Sequence, residues 1–262
     1  MNYVFDPDNW EWLVTGNNLR FILEGFAVNL EIAVIAMVLS LIAGLALALA
    51  RLSRWTPLSV VAGAWVDVWR NLPLIFIILY LYLTIPGAWP AAYEDAIPSW
   101  FPEGLQSGRV LAAILGLVLY NSAVLAEIMR AGIQSLDRGQ NEAARALGMS
   151  YGQSMRHVVL PQGLRRMVPA TVSQLITLNK DTTLVSIVAI QEVVRHGRIL
   201  TGTNFFGGVP VPIFQVFLVI GALFIIVNFA LSRLSRRLEV VESKRTAVGD
   251  VKRVRGLEEQ AV

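Results

Sequence analysis

Apolar positions in this chain gather in long, nearly unbroken blocks instead of alternating with polar ones, the pattern of helices surrounded by lipid. The first block spans 26–50, interrupted only by Asn29 and Glu31 near its start and closed by Arg51 and Arg54. The second, 57–85, contains Asp67, Arg70 and Asn71. The third covers 110–125 and is followed by Glu127 and Arg130. The fourth, 168–194, is apolar but interrupted by Asn179, Lys180 and Asp181, and the fifth, 211–231, ends in Arg233, Arg236 and Arg237. A helix needs about 20 apolar residues to cross a bilayer core. The blocks therefore predict an all-α membrane protein of about five spans, the fourth having the weakest hydropathy.

The stretches between blocks complete the plan. Trp10 and Trp12 beside Glu11 predict a short interfacial segment within residues 1–25. Segment 86–108 carries Pro86, Pro90, Pro98 and Pro102, which rule out a continuous helix and predict a loop. Residues 26–235 form the membrane domain, and 236–262 form a polar, mobile tail of mixed charge. Lys and Arg accumulate on the cytoplasmic side of membranes. Segment 86–108 up to Gly108 has neither, while 135–166 holds Arg138, Arg145, Arg156, Arg165 and Arg166. The tail adds Arg233, Arg236, Arg237, Lys244 and Arg245, so the amino terminus is expected outside and the carboxyl terminus inside. Arg195 and Arg198, in the last outer loop, are a mild exception.

Composition narrows the chemistry. The 262 residues are 55% hydrophobic and 16% charged, against roughly 25% charged in soluble domains, which leaves little room for a soluble domain. No basic region precedes an apolar stretch at the start, so a cleavable signal peptide is not expected. Without cysteine the chain has no disulfide, thiol nucleophile or thiolate metal site, and His157 and His196 lie too far apart in sequence to suggest a ligand cluster. None of the lysines follows a glycine, so the phosphate-binding loop of nucleotide hydrolases is missing. No catalytic constellation is visible, so an enzyme is not expected, and no cofactor or metal is implied.

The hydrophilic segment 135–166 is strongly helical in pattern. Asp137 with Gln140 predicts a capping box, Gly148 supplies a left-handed residue to end the first helix, and Ser150 with Gln153 starts a second. Pro161 is expected to stop it. Glu142-Ala143-Ala144, three residues, Gly148, nine residues, Val158, one residue and Leu160-Pro161 resembles the EAA loop, the hallmark of permease subunits of binding-protein-dependent ABC importers. Val158 stands where isoleucine is common.

The resemblance implies a type I importer permease that dimerises with a copy or a homologue. It implies two cytoplasmic ABC ATPase subunits and an extracytoplasmic binding protein as partners. Glu142, Ala143, Ala144, Leu147, Gly148, Leu160 and Pro161 would form the ATPase-coupling loop, with Ala143, Ala144 and Leu147 presented to the partner. The segments 126–135, 180–186 and 70–74 resemble the polar-amino-acid branch, covering residues 26–235 in all. Arg70-Asn71-Leu72-Pro73 replaces the commoner Arg-Gly-Thr-Pro and resembles glutamate, glutamine, aspartate and asparagine systems; basic amino acids are also admitted.

Polar residues within spans cost several kcal/mol and normally face a partner or a wet path. Ser173, Thr177 and Asp181 recur at four-residue spacing, with Gln174, Lys180 and Thr182 beside them. This stripe either lines a path for a zwitterion, together with Arg70 and Asn71, or contains an internal Lys–Asp pair or caps on a broken helix. Arg70 either serves a gate or snorkels to the surface beside Asp67, with Pro73 kinking the helix just above. Asn29 and Glu31 read as interfacial, Glu127 and Arg130 as a packing pair, His157 as a contact residue and His196 as an outer-loop residue. A secondary transporter would show internal repeats and more spans, and neither is present.

Overall fold

The computed structural model describes residues 6–202 and 211–260, with side chains except for Arg138 and 238–260. Every regular element among them is helical. A 3₁₀ turn, Pro7–Trp10, leads into a short α1 (Glu11–Val14), then α2 (Asn18–Arg51), α3 (Thr56–Asn71), α4 (Leu74–Thr84) and α5 (Ala88–Ala96). After a second 3₁₀ turn, Glu103–Leu105, come α6 (Arg109–Gln134), α7 (Arg138–Ala146) and α8 (Tyr151–Ser154). A π turn, Met155–Val159, joins α8 to α9 (Leu160–Asp181), which passes into a 3₁₀ helix, Thr182–Val188. Then follow α10 (Val193–Gly202) and α11 (Ile213–Gln260).

Among the described residues, three helices are long and apolar enough to cross a membrane alone: α2, α6 and the Ile213–Arg237 part of α11. The second apolar block is not one rod. Its halves α3 and α4 meet at a 101° bend at Leu72-Pro73. Proline lacks the N–H and excludes the preceding residue from the helical region, and Leu72 is accordingly extended at ψ 142°. The expected kink is therefore a full corner. The fourth block also breaks: α9 stops at Asp181, since Thr182 and Thr183 turn their hydroxyls back onto the carbonyls of Asn179 and Lys180 (2.7 and 2.9 Å). Lys180 and Asp181 thus lie at a helix end, not mid-helix, and α9 by itself is not apolar enough along its length to cross a membrane.

At the other end, α9 begins where a stop was expected. Pro161 sits in its first turn, and the preceding π turn absorbs the mismatch: the Leu160 N–H reaches back to Met155 O, five residues away. Segment 86–108, expected as loop, includes α5 and a 3₁₀ turn. The tail, expected to be mobile, continues as part of α11 to Gln260; it is rich in Arg, Glu and Val and contains no proline. Residues 1–5 of the amino-terminal segment and 261–262 of the tail lie outside the described residues.

Helix α6 is the axis of the bundle, packing against α2, α3, α4 and α9. Over half of its apolar stretch (56%) is buried, against 17% for that of α11, whose Ile225, Ile226 and Phe229 point outward. Membrane helices lack a hydrophobic drive toward each other and rely on close backbone approach. Gly44 provides it on α2: a Cβ there would fall 2.9 Å from Leu125 Cβ and 3.1 Å from Ser122 O of α6. Gly163 does the same for α9, with Ile133 Cα at 3.0 Å. A second apolar cluster gathers Trp12, Ile22, Phe26, Val193, Leu200, Val216 and Ile220. Trp12 is therefore built into the bundle, not laid on its surface as its sequence context suggests.

Candidate functional site

The loop between α6 and α9 is a compact unit. Asp137 caps α7 by accepting the Gly139 N–H (2.9 Å), while the expected reciprocal partner, Gln140, accepts instead from Gln162 (3.2 Å). The end of α7 is a Schellman motif: Gly148, at φ +79°, donates to Arg145 O and Met149 donates to Ala144 O (2.9 and 3.2 Å). The Ser150–Gln153 capping box forms as expected, with both bonds present (2.8 and 3.3 Å). Ser154 then donates to Asn141 (2.7 Å), so α7 and α8 are tied to each other directly.

This geometry sorts the loop residues. Glu142, Ala143 and Gly148 are exposed, and Leu147 is 80% exposed. Ala144 differs from expectation. It is buried, because its side of α7 packs against the π turn, and it cannot be presented to a partner in this arrangement. Leu160 is half-buried, Pro161 is exposed, and His157 is exposed on the π turn.

On α9, the residues of the polar stripe divide by face. Ser173, Thr177 and Lys180 are exposed, and Asp181 is half-buried beside them. Lys180 and Asp181 form no ion pair with each other among the described residues. Gln174 turns inward and donates to Asn121 of α6 (2.8 Å). Thr182, read as part of the stripe, is completely buried. Its hydroxyl accepts from Asn29 Nδ2 at 3.0 Å.

That bond belongs to a polar knot that the sequence pattern misses. Asn29, expected at the interface, is fully buried; its Nδ2 also donates to Glu192 (3.1 Å) and its Oδ1 accepts the Val193 N–H (3.0 Å). Glu192, equally buried, accepts the N–H groups of Val194 (3.0 Å) and Arg195 (2.7 Å), capping α10. The carboxyl group is held by three donors, so its oxygens are hydrogen-bonded despite their burial. A carboxylate immediately before a helix start is the one sequence signal that points to Glu192.

His196 corrects its reading too. It stacks on Phe21 with centroids 3.9 Å apart, and its Nδ1 lies 2.6 Å from Phe21 O. Burial holds its pKa below the usual range, against the opposing effects of the Phe21 carbonyl and Glu24. A cavity of about 510 Å³ opens beside it, with Glu24, Glu31, Glu103 and Arg109 on its wall.

At the opposite end of α2 the charges join across three helices. Arg51 pairs with Glu127 of α6 and lies 4.0 Å from Asp67 of α3. Asp67 is also 3.6 Å from Arg70, and Glu127 is 2.8 Å from Arg130, matching the expected Glu127–Arg130 pair. Asn71 donates to Asp67 O (2.7 Å), and both Arg70 and Asn71 are exposed at the corner before Leu72-Pro73.

A corner at Arg70-Asn71-Leu72-Pro73, a rigid loop carrying Glu142-Ala143-Ala144 and Gly148, and a central glycine-packed bundle together form a recognisable constellation. The sequence profile of the family described as "Binding-protein-dependent transport system inner membrane component" matches residues 36–240. The chain belongs to that family. It is an integral protein of the bacterial inner membrane. Among relatives, the probable glutamine ABC transporter permease protein GlnP of Bacillus subtilis is 37% identical, over 85% of this chain and 94% of its own length. The glutamate/aspartate import permease protein GltK of Escherichia coli is 36% identical, over 71% of this chain and 80% of its own. In fold, the chain resembles a solved amino acid ABC transporter with histidines at a TM-score of 0.71 and 27% identity, over 89% of this chain and 98% of that one.

Proposed function

We propose that this chain is the membrane subunit of an ATP-driven importer for a polar amino acid, glutamine or glutamate being the favoured class. The observation that carries the coupling half of this reading is the locked α7–α8 unit, which holds Glu142, Ala143 and an 80% exposed Leu147 on a rigid surface. Leu147 and Ala143 give this short capped helix a small apolar contact that a partner could cover. The partner is a cytoplasmic ATPase, one copy for each of two permease subunits.

The substrate half rests on α9 and on the relatives. Ser173, Thr177, Lys180 and half-buried Asp181 occupy one face of a helix otherwise packed in an apolar bundle; Ser173 meets Ser235 of α11 at 3.5 Å, while Thr177 and Lys180 are exposed among the described residues. The cost of polar groups in lipid favours a second permease subunit and a wet path on that side. Lys180 supplies a donor for a carboxylate and Asp181 an acceptor for an ammonium group. Arg70 and Asn71 serve the inner end of the path. The relatives named for glutamine and for glutamate/aspartate support a small zwitterion. A binding protein delivers the amino acid at the outer face, where the amino terminus lies; residues 135–166 and the carboxyl terminus face the cytoplasm. The work of ATP hydrolysis belongs to the partner.

The test is uptake into vesicles containing this chain, its ATPase and its binding protein, comparing glutamine, glutamate, arginine and histidine. ATP-dependent uptake of one of them is expected. Glu142→Lys abolishes it while the protein still inserts, and Asp181→Ala lowers it about tenfold, equivalent to about 1.4 kcal/mol. Uptake that follows an ion gradient without ATP would overturn the proposal.

A further inference from the structure

Beneath the docking loop, the second loop helix grips the turn between α2 and α3. The Tyr151 hydroxyl donates to Leu52 O at 3.2 Å, bridging 99 positions in sequence. The Arg54 guanidinium lies 4.1 Å from the centre of the Tyr151 ring. Ser59 fastens the same turn by donating to Arg51 O (2.8 Å). This contact is not a packed seam. A cavity of about 550 Å³ lies alongside, its wall including Leu49, Trp55, Leu58 and Met155. Tyr151 and Arg54 therefore carry most of the connection between loop and turn.

Leu52 adjoins Arg51, and from Arg51 charged contacts fan out to both neighbouring helices. Glu127 receives it on α6, and Asp67 links it on α3 to Arg70. The Arg51 and Glu127 side chains are only 18% and 17% exposed. Separating a buried pair leaves uncompensated charges, so it resists being pulled apart. Arg70 and Asn71 are the last residues before the 101° corner at Leu72-Pro73. The connected route thus runs from the capped loop, through Tyr151 and Arg54, to the α2–α3 turn, the Arg51 ion pairs and the corner.

We infer that Tyr151 and Arg54 form the mechanical joint through which movement of the docking loop is passed to α2, α3 and the Leu72-Pro73 corner. They are positioning residues: neither belongs to the exposed docking surface or to the α9 face. The inference rests on the docking reading above, because a joint is needed only if residues 135–166 are pushed by a partner. A cation over an aromatic face and a hydroxyl–carbonyl bond tolerate small rotations while opposing separation. These are the mechanical properties required where a cytoplasmic unit rocks against a membrane helix.

The experiment uses the complete assembly in vesicles and reads three quantities: co-purification of the ATPase, ATP hydrolysis and glutamine uptake. Tyr151→Phe, which keeps the ring, and Arg54→Gln are expected to retain the ATPase and its hydrolysis. Both lower uptake about fivefold or more, so that more ATP is consumed per amino acid carried. Arg54→Lys, which keeps a cation over the ring, recovers most of the uptake. Unchanged uptake in both variants would overturn the inference. So would uptake and hydrolysis falling in step with loss of the ATPase, since the residues would then belong to the docking surface. If Tyr151→Phe fails to accumulate, Arg54→Gln and Arg54→Lys decide alone. Glu142→Lys serves as the separate control: if it keeps both ATPase and uptake, the docking reading itself fails, whatever the joint variants do.

Discussion

Asn29 does more for this molecule than any other polar side chain in the first apolar block. One amide satisfies a hydroxyl, a carboxylate and a backbone N–H from segments more than 150 positions away. Removing it leaves the Val193 N–H without this partner and Glu192 with one donor fewer in a sealed interior. Unsatisfied buried groups cost about 1–3 kcal/mol each. Asn29→Ala is therefore expected to lower stability by about 2–3 kcal/mol. Thr182→Val, which removes the hydroxyl contacts with Asn29 and Asn179 O but leaves the Asn29 bonds to Glu192 and Val193, should cost less. Thermal unfolding of both variants in detergent, beside the parent chain, gives the order; equal midpoints would sink the claim. The asparagine is visible in the sequence as a polar interruption, but its partners are not. Glu192 and Thr182 approach it only through tertiary folding, which no local pattern encodes.

Among elements, α6 sets the geometry because its partners come within backbone reach. Gly44→Leu must push α2 away from Ser122 and Leu125, and overpacking of this kind costs about 1–3 kcal/mol. Gly63→Ala is the control, since the nearest atom to a Cβ there is the Arg51 Nε at 3.8 Å. The first variant should lose several degrees of thermal midpoint and the second should not, a contrast readable in one melting series. The elements also show which breaks a sequence discloses. Leu72-Pro73, Gly148 and the Ser150–Gln153 box act through their own backbone or nearest neighbours, and each was legible. Pro161 was misleading because a π turn upstream removes the conflict that proline normally creates. The end of α9 was hidden because threonine hydroxyls compete with the helix only when the chain around them permits another path.

For the whole molecule, the two exposed surfaces differ in kind. The side of α11 bearing Ile225, Ile226 and Phe229 is apolar and suited to lipid, whereas the α9 side bearing Ser173, Thr177 and Lys180 is polar. If the polar side meets a second permease subunit, Thr177→Cys should be joined to its counterpart by a short thiol cross-linker. Ile226→Cys should not. The chain has no cysteine of its own, so any cross-linked band reports the introduced site. Cross-linking through Ile226→Cys alone would reverse the assignment of the two faces. The α9 stripe was legible as a four-residue repeat of polar positions. Its division into exposed Thr177 and buried Thr182 was not, because that depends on where the helix ends.

The Asn29–Glu192 contact also has a history. Ribosomes add about 5–20 residues per second, so the 163 positions between them separate their synthesis by roughly 8–30 s. Throughout that interval the first span waits with its asparagine unsatisfied, a client for whatever insertion machinery shelters polar groups from lipid. Completion of the bundle is thus postponed until α10 has been made, and a chain released before α10 would carry its own mark for disposal.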